Sequence, residues 1–256
     1  MGRSGQSDGK VGIDVSVIPG LFDACTTGFK RRGWFWKLAM PKNVKRIVDL
    51  FCGGGGASMG LHWAFPDATI VGVDINKQTN YPFEFVQANA LDFDIRKFDF
   101  IWASPPCQSY TKKSANWGRK RTHWIDHPDL LGLVRKKLIK SGSSFVIENV
   151  VGAPIRADLM LCGTMFNLKI IKHRHFETNF KVVQPDQVCN HSGVYNPWAG
   201  KGRSAEKLRR AQNINWLPIS GGASRKLGNT GDLFNAIPPA YSEYIADQYK
   251  ISESQQ

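Results

Sequence analysis

Four short apolar runs, each followed by a break in the pattern, organise the chain between residues 43 and 177. The runs are rich in Val, Ile and Phe, and they are Val44–Phe51, Thr69–Val73, Phe98–Ala103 and Ser144–Ile147. Continuous apolar runs of this length, alternating with stretches of helical character, are typical of buried parallel strands joined by helices. The pattern predicts an α/β fold whose main domain covers residues 43–177.

The first run ends in a glycine-rich turn, Cys52–Ser58, that leads into a predicted helix. Glycines at such a turn let backbone N–H groups approach a ligand at the positive end of the helix. The second run ends at Asp74, near the ~20-residue offset expected for an acid that binds ribose hydroxyls. A tight turn with a capping Asp is the alternative, and the turn lacks the P-loop pattern.

The third and fourth runs carry a thiol and a carboxyl group toward the same edge of the predicted sheet. Cys107 lies in Ser104–Gln108, directly after the third run, and Glu148 directly follows the fourth run. Open α/β sheets place their chemistry at this carboxyl edge. A lone Cys is usually structural, but two prolines and the polar residues that follow argue against an inert core position. A cysteine beside an acid is a nucleophile with a proton donor.

These segments together resemble the signature blocks of the DNA cytosine-C5 methyltransferases. The matching blocks are Asp49–Gly55, Pro105–Gln108, Glu148–Val150 and Asn235–Pro239. The resemblance covers Lys45 to about Glu177, and Leu233 to Tyr249, although Phe234 stands where the family usually has Gly. The compact length resembles that of versions carried by bacteriophages, and the resemblance also implies a link to restriction-modification.

The resemblance implies a Rossmann-like, S-adenosylmethionine-dependent methyltransferase domain with a small target-recognition region. It implies methyl transfer to C5 of cytosine in DNA, through a covalent bond between Cys107 and C6 of a flipped-out base. Glu148 would then stabilise N3 and N4, and Arg174 would bond O2. The residues implied to hold S-adenosylmethionine are Phe51, Gly53, Gly55, Asp74, Asp92, Pro105, Leu130, Asn235 and Ala236.

Five cations and two tryptophans occupy the polar segment directly after Cys107, between Thr111 and Trp124. We interpret this segment as a lid that closes over DNA with its cations on phosphates, the alternative being a solvated charge run. Lys172 replaces an Arg of the family pattern and is expected to bind phosphate as a point charge, unless it belongs to an exposed basic strand end. The predicted DNA contacts are Gln108, Ser109, Lys112, Lys113, Arg119, Lys120, Arg121 and Lys172.

Composition agrees with a nucleic-acid partner. The net charge of the 256-residue chain is +13, which suits a polyanion. No run of 18 apolar residues exists, so we expect no membrane span. Five cysteines without paired spacing fit a reducing cytoplasm. We expect a cytoplasmic monomer that binds double-stranded DNA.

Three further regions flank or follow the main domain. Residues 1–42 form an N-terminal extension whose basic-aromatic patch, Lys30–Lys37, either touches nucleic acid or packs on the core. Residues 178–232 occupy the position of the family's target-recognition region, and residues 233–256 are expected to return to the catalytic domain.

A zinc site is a weaker possibility. Cys162, Cys189 and His191 are potential ligands, but Cys189 and His191 are separated by one residue and no CxxC pair exists. We therefore expect ordinary thiols, a surface histidine and no bound metal.

Three other functions compete with DNA cytosine-C5 methylation. A tRNA cytosine-C5 methyltransferase of the same fold would show Cys-Phe-Thr in residues 178–232, which this chain lacks. A non-catalytic DNA-binding relative would be expected to have lost Cys107 or Glu148. An amine methyltransferase would have an aromatic residue after Ser104-Pro105-Pro106, where Cys107 stands.

Overall fold

The computed structural model describes residues 44–110, 129–196, 204–218 and 230–255. Within these ranges the strands are β1 (Arg46–Leu50), β2 (Thr69–Asp74), β3 (Glu84–Gln87), β4 (Phe100–Ala103), β5 (Ser144–Asn149), β6 (Leu159–Leu161) and β7 (Arg174–Thr178). The helices are α1 (Gly56–Ala64), α2 (Leu131–Ser141), α3 (Ala205–Gln212), α4 (Thr230–Asn235) and α5 (Pro239–Glu253), with a short 3-10 helix at Gly163–Phe166.

A single sheet carries all seven of these strands in the order β3-β2-β1-β4-β5-β7-β6. The pairs from β3 through β5 are parallel, whereas β7 runs antiparallel to both β5 and β6. The order reverses between β1 and β4, so the ends of these two strands flank the crevice in which open α/β sheets bind ligands. The four predicted strands and the parallel sheet are confirmed.

The sheet is buried on both faces, which explains its continuous apolar strands. Phe100 and Trp102 of β4 belong to a core cluster shared with α1 and α5. Ile101 and Ala103, which alternate with them, belong to a second cluster shared with α2 on the other face. Successive side chains of a strand point to opposite faces of the sheet, so one apolar run contributes to both core clusters.

Helices α1 and α5 pack closely because small residues face each other at their contact. A Cβ atom added to Gly60 would lie 1.9 Å from the carbonyl oxygen of Pro239. The Ser242 hydroxyl donates to the carbonyl of Ala57 at 2.8 Å. The C-terminal helix α5 therefore packs against α1, the helix that follows β1.

A third core cluster joins the 204–218 segment to the C-terminal segment. It is formed by Ile170, Leu208, Ala211, Ile214, Leu217, Leu233 and Ala236. This cluster includes residues on both sides of the predicted boundary at 232. No helix in the described ranges is long and apolar enough to cross a membrane.

Candidate active site

A cleft of about 300 Å³ lies at the carboxyl edge of the sheet, where β1, β2, β4 and β5 end. It brings together residues that are far apart in the sequence. Its lining includes Phe51, Gly53, Asp74, Pro105, Cys107, Gln108, Glu148, Arg174, Asn235 and Ala236. Ten of the predicted site residues therefore share one cavity.

Three of these residues form the reactive end of the cleft. Cys107 lies in the loop after β4 and is half-buried. Glu148, the fifth residue of β5, is 5% exposed. Arg174 begins β7, and its Nε lies 2.9 Å from Oε1 of Glu148. Antiparallel pairing of β5 with β7 aligns Glu148 with Phe176, two residues from Arg174 on the same strand face, so the guanidinium reaches the carboxylate.

Burial and charge set the protonation of this group of residues. Burial raises the pKa of Glu148 above its ordinary value, while Arg174 and a hydrogen bond from Ser104 oppose that rise. Burial also raises the pKa of the Cys107 thiol, and the negative charge of Glu148 raises it further. Arg174 acts on the pKa of Cys107 in the opposite direction. The charge state of Cys107 therefore depends on both Glu148 and Arg174.

The glycine turn and Asp74 form the other end of the cleft. The Asp74 carboxylate accepts from the backbone N–H of Gly53 at 3.1 Å and from that of Asn76 at 2.9 Å. Gly53 has φ 46, and a Cβ added there would meet nothing within 4 Å. Phe51 has φ 61, which is unusual for an aromatic residue. Strained backbone of this kind is often found at ligand sites.

Asp49, in the same signature block, lines the cleft with a carboxylate that is only partly satisfied. Ser58 Oγ donates to its Oδ2 at 2.5 Å, and the Tyr81 hydroxyl lies 2.6 Å from Ser58 Oγ. Its Oδ1 is buried and has no hydrogen-bond partner among the described residues. Burial raises the pKa of Asp49 to about 7. The sequence signal for this position was a charged residue inside an apolar strand.

These features fit S-adenosylmethionine. The open space beside Gly53 admits a ligand against the backbone, and Asp74 offers carboxylate oxygens for ribose hydroxyls. The orphaned Oδ1 of Asp49 offers an acceptor to a donor group of the ligand. Phe51, Pro105, Asn235 and Ala236 supply further walls of the same cavity.

Three predicted cofactor residues do not line the cleft. Gly55 has φ 80 and caps α1, and its α-carbon faces Tyr81 and Pro82. Asp92 is exposed and accepts from Asn89 Nδ2 at 2.8 Å. Leu130 packs against the α2-side core. Their predicted ligand contacts remain predictions.

The expectation that Lys172 binds DNA phosphate is corrected. Its side chain is 1% exposed. Its Nζ donates to Gln212 Oε1 at 2.7 Å, to the Phe234 carbonyl at 2.9 Å and to the Ala236 carbonyl. An ammonium with all three protons engaged inside the protein has none for a phosphate. Lys172 instead fastens the C-terminal segment to the start of β7.

The other predicted DNA contacts divide into two groups. Gln108 lines the cleft, and Ser109 is exposed in the loop that follows Cys107. Lys112, Lys113, Arg119, Lys120 and Arg121 lie outside the described residues, as does the N-terminal patch Lys30–Lys37.

Two features of the cleft and its surroundings were missed by the sequence analysis. Trp216 Nε1 donates to the carbonyl of Gly54 at 2.8 Å, and a Cβ at Gly54 would lie 2.7 Å from a methyl carbon of Leu217. Nothing in the sequence around Trp216 pointed to the glycine turn, 162 residues earlier. The predicted recognition region thus supports the predicted cofactor turn.

The second missed feature is a cluster of Cys162, His173, Cys189 and His191, whose potential ligand atoms lie within 4.8 Å of one another. Three of these residues are potential zinc ligands by sequence, although no bound metal was expected, and the structure adds His173 to them. Cys162, Cys189 and His191 were the sequence signal for this cluster. The fourth residue, His173, is brought to them only by the folding of the chain.

Part of this chain matches known proteins in sequence. The family model described as C-5 cytosine-specific DNA methylase matches residues 45–153. A Type II methyltransferase, M.AquIA from Picosynechococcus sp., is 27% identical over 130 residues. That match covers 42% of this chain and 49% of the relative, so it spans about half of the relative's length.

The fold is also similar to that of a solved methyltransferase. The structure of Entamoeba histolytica methyltransferase EhMeth superposes with a TM-score of 0.50 at 12% identity, covering 80% of this chain and 98% of that one. The Rossmann-like methyltransferase fold is thereby confirmed, and so is S-adenosylmethionine as the cofactor of the family. The predicted resemblance to the cytosine-C5 methyltransferases is therefore supported over residues 45–153, the part of the chain that the C-5 cytosine-specific DNA methylase model matches.

Proposed function

We propose that this protein transfers a methyl group from S-adenosylmethionine to C5 of cytosine in double-stranded DNA. The reaction would proceed through a covalent bond between Cys107 Sγ and C6 of a flipped-out base. The observation that carries the proposal is the convergence of Cys107, Glu148 and Arg174 in the cleft that also contains the glycine turn and Asp74. The thiol can add to the pyrimidine ring, and the buried acid and the guanidinium can stabilise the charge that develops on it. The rest of the cleft fits the methyl donor.

The chemistry follows from the weak nucleophilicity of C5. Addition of the Cys107 thiolate to C6 turns C5 into an enamine-like carbon that can accept a methyl group. When bound, S-adenosylmethionine supplies that methyl group as an electrophile. A base then removes the C5 proton, and Cys107 leaves. The ring faces of a stacked base are inaccessible, so the target must leave the duplex, at a cost of a few kcal/mol.

Arg174 and Glu148 would share the work of holding the ring. Addition at C6 places negative charge on O2, N3 and N4. The raised pKa of Glu148 favours a protonated carboxyl group, which can donate to N3. O2 of the base would accept from N–H groups of Arg174 that otherwise face Glu148. Substrate entry would therefore loosen the ion pair and favour the neutral acid.

The same change would activate the thiol. A negative charge on Glu148 disfavours the Cys107 thiolate, and Arg174 favours it. Neutralising Glu148 at the moment the base enters therefore promotes the nucleophile. The pocket would couple base recognition to activation of Cys107.

Binding to DNA would depend mainly on phosphate contacts. Cations at Lys112, Lys113, Arg119, Lys120 and Arg121 supply the charge for them in this proposal. Single bidentate base contacts discriminate by only about 1–3 kcal/mol, and the recognition region is short. We expect a target of about two to four base pairs and binding that weakens steeply as salt rises.

Covalent trapping tests the proposal directly. The protein is incubated with S-adenosylmethionine and a DNA duplex that contains 5-fluorocytosine, from which fluorine cannot leave as a proton. A denaturation-resistant adduct should form, and Cys107→Ser should abolish it while cofactor binding is nearly unchanged. Near-wild-type methylation by Cys107→Ser would refute the covalent role of this residue.

A second measurement identifies the substrate. The protein is incubated with tritiated S-adenosylmethionine and either DNA or tRNA, and the labelled nucleoside is identified after digestion. The proposal requires 5-methyldeoxycytidine from DNA. Label in RNA alone would show that the protein is a tRNA cytosine-C5 methyltransferase. No label with either substrate would favour a non-catalytic relative.

A further inference from the structure

Four potential metal ligands converge at the edge of the sheet where β6 ends and β7 begins. Cys162 follows β6, His173 precedes β7, and Cys189 and His191 lie in the segment between β7 and α3. Their ligand atoms all lie within 4.8 Å of one another. Each of the three chain segments therefore contributes at least one ligand to the same point.

Two of the six distances between these ligand atoms match the S···N edge of a zinc tetrahedron. Cys162 Sγ lies 3.5 Å from His191 Nε2, and Cys189 Sγ lies 3.7 Å from His173 Nε2. With Zn–S of about 2.3 Å and Zn–N of about 2.0–2.1 Å, the S···N edge of a regular tetrahedron is about 3.6 Å. The imidazole rings of His173 and His191 are 4.9 Å apart between centroids and tilted by 71°. The two rings are therefore arranged edge to face and do not stack face to face.

Residues around the four ligands hold them in place. Thr164 Oγ1 donates to Cys162 Sγ at 3.4 Å and accepts from the backbone N–H of Asn190 at 3.2 Å. Gln187 Nε2 donates to the carbonyl of Thr164 at 3.2 Å. One threonine therefore connects the buried thiol to the segment that carries Cys189 and His191. Hydrogen bonds of this kind orient ligands at metal sites.

The environment also suits bound thiolates. Two thiolates and two neutral imidazoles give a site with Zn²⁺ no net charge, which can be partly buried without a large desolvation cost. Cys162 is buried, His173 and Cys189 are half-buried, and His191 is exposed. A closed set of four protein ligands is typical of structural zinc, since catalytic zinc keeps one position open.

We propose that Cys162, His173, Cys189 and His191 form a structural Zn²⁺ site that fastens the 179–196 segment to the β6–β7 edge of the catalytic domain. His173 is bonded along the chain to Arg174, whose Nη1 donates to the His173 carbonyl at 2.8 Å. The metal would therefore hold the residue that precedes the guanidinium facing Glu148. It would also fix the start of the predicted recognition region relative to the cleft. This inference does not depend on the identity of the methylated substrate.

Metal analysis of the full chain tests the site. The protein is expressed in zinc-supplemented medium without a polyhistidine tag, purified without chelator, and analysed by inductively coupled plasma mass spectrometry. We expect about one zinc ion per chain. After exchange with Co²⁺, the visible spectrum should show the bands of a tetrahedral thiolate-ligated ion.

Variants identify the ligands. Cys189→Ser and His191→Ala should each lose most of the zinc and the cobalt bands, and His191 is exposed, so its variant is expected to fold. His175→Gln is the matched control. His175 lies in β7, two residues after His173, but it is not part of the cluster. It should retain about one zinc ion per chain.

Three results would overturn the proposal. The first is a folded wild-type protein with negligible zinc that also fails to bind Co²⁺. The second is zinc content that is unchanged in both Cys189→Ser and His191→Ala. The third is a disulfide between Cys162 and Cys189, detected as a mass loss of two hydrogens in protein purified without oxidant or reductant.

Discussion

Nε of Arg174 lies 2.9 Å from Oε1 of Glu148, at the point where antiparallel β7 meets the end of β5. Both side chains are almost inaccessible to water: their exposed fractions are 12% and 6%. A buried pair of this kind costs desolvation energy, and breaking it by removing one partner is strongly destabilising. The pair lines the cleft beside Cys107, and in the proposed function it stabilises the charge that develops on the base.

The thiol of Cys107 should report the charges of this pair. Glu148 raises the pKa of Cys107 and Arg174 lowers it. Glu148→Gln should therefore shift the pH profile of Cys107 alkylation by iodoacetamide to lower pH, and Arg174→Gln should shift it to higher pH. The rate is measured by mass spectrometry of the peptide that contains Cys107. Glu84→Gln, at an exposed position on β3, should leave the profile in place, and shifts of the same sign in both cleft variants would contradict the electrostatic assignment.

Glu148 should act on turnover more than on DNA binding. Removing its carboxyl group in Glu148→Ala eliminates a donor that is needed as charge develops on the ring. The expected loss is about 10²–10³ in kcat, by analogy with other buried oxyanion donors. Steady-state kinetics and a filter-binding assay measure the two effects separately. A rise in KM with unchanged kcat would mean that Glu148 binds substrate without stabilising the addition step.

Asp49 should make the protein less stable as pH rises. Its pKa in the folded state is about 7, above the ordinary value of 3.8. Its contribution is therefore fully present below pH 4 and is lost as pH rises through 7, because ionisation is disfavoured only in the folded state. Relative to the wild type, Asp49→Asn should gain stability progressively between about pH 4 and 7, by up to a few kcal/mol.

Urea unfolding at several pH values measures this difference for Asp49→Asn. Asp67→Asn is a suitable control, because Asp67 is an exposed residue of the turn before β2. A constant offset between Asp49→Asn and the wild type across this pH range would show that the effect is steric.

Lys172 should contribute to stability and not to phosphate binding. Lys172→Met leaves the buried carbonyl of Ala236 without the donor that Lys172 supplies, which costs roughly 1–3 kcal/mol. Because Ala236 lines the cleft, affinity for S-adenosylmethionine should fall as well. The salt dependence of DNA binding should keep its slope, whereas loss of a phosphate contact would reduce that slope by about 0.9. Lys169→Met, at an exposed position three residues earlier, controls for the lost charge.

Gly60 and Gly132 should respond oppositely to alanine. At Gly60 a Cβ would lie 1.9 Å from the Pro239 carbonyl, a backbone atom that cannot move alone. Gly60→Ala should therefore separate α1 from α5 and cost about 1–3 kcal/mol or more. At Gly132, in α2, a Cβ would meet nothing within 4 Å, so Gly132→Ala should stabilise by about 0.5–1 kcal/mol. Thermal unfolding followed by circular dichroism compares the two variants.

The sequence by itself determined the parallel sheet, the glycine turn and the placement of Cys107 and Glu148. These features depend on short stretches of chain: an apolar run predicts a buried strand, and residues directly after parallel strands meet at one edge. Arg174 required the family resemblance, since β7 runs antiparallel and the local pattern does not reveal its direction.

The tertiary structure alone decided the roles of Lys172, His173, Asp49 and Trp216. The sequence pattern around Lys172 is typical of an exposed basic strand end. Packing of the C-terminal segment nevertheless buries Lys172 against carbonyl groups of residues 62 and 64 positions later in the chain. His173 meets Cys162, Cys189 and His191 only because β6, β7 and the following segment converge. Trp216 reaches Gly54 across 162 residues. Such contacts are set by how distant segments pack, and local periodicity contains no information about that packing.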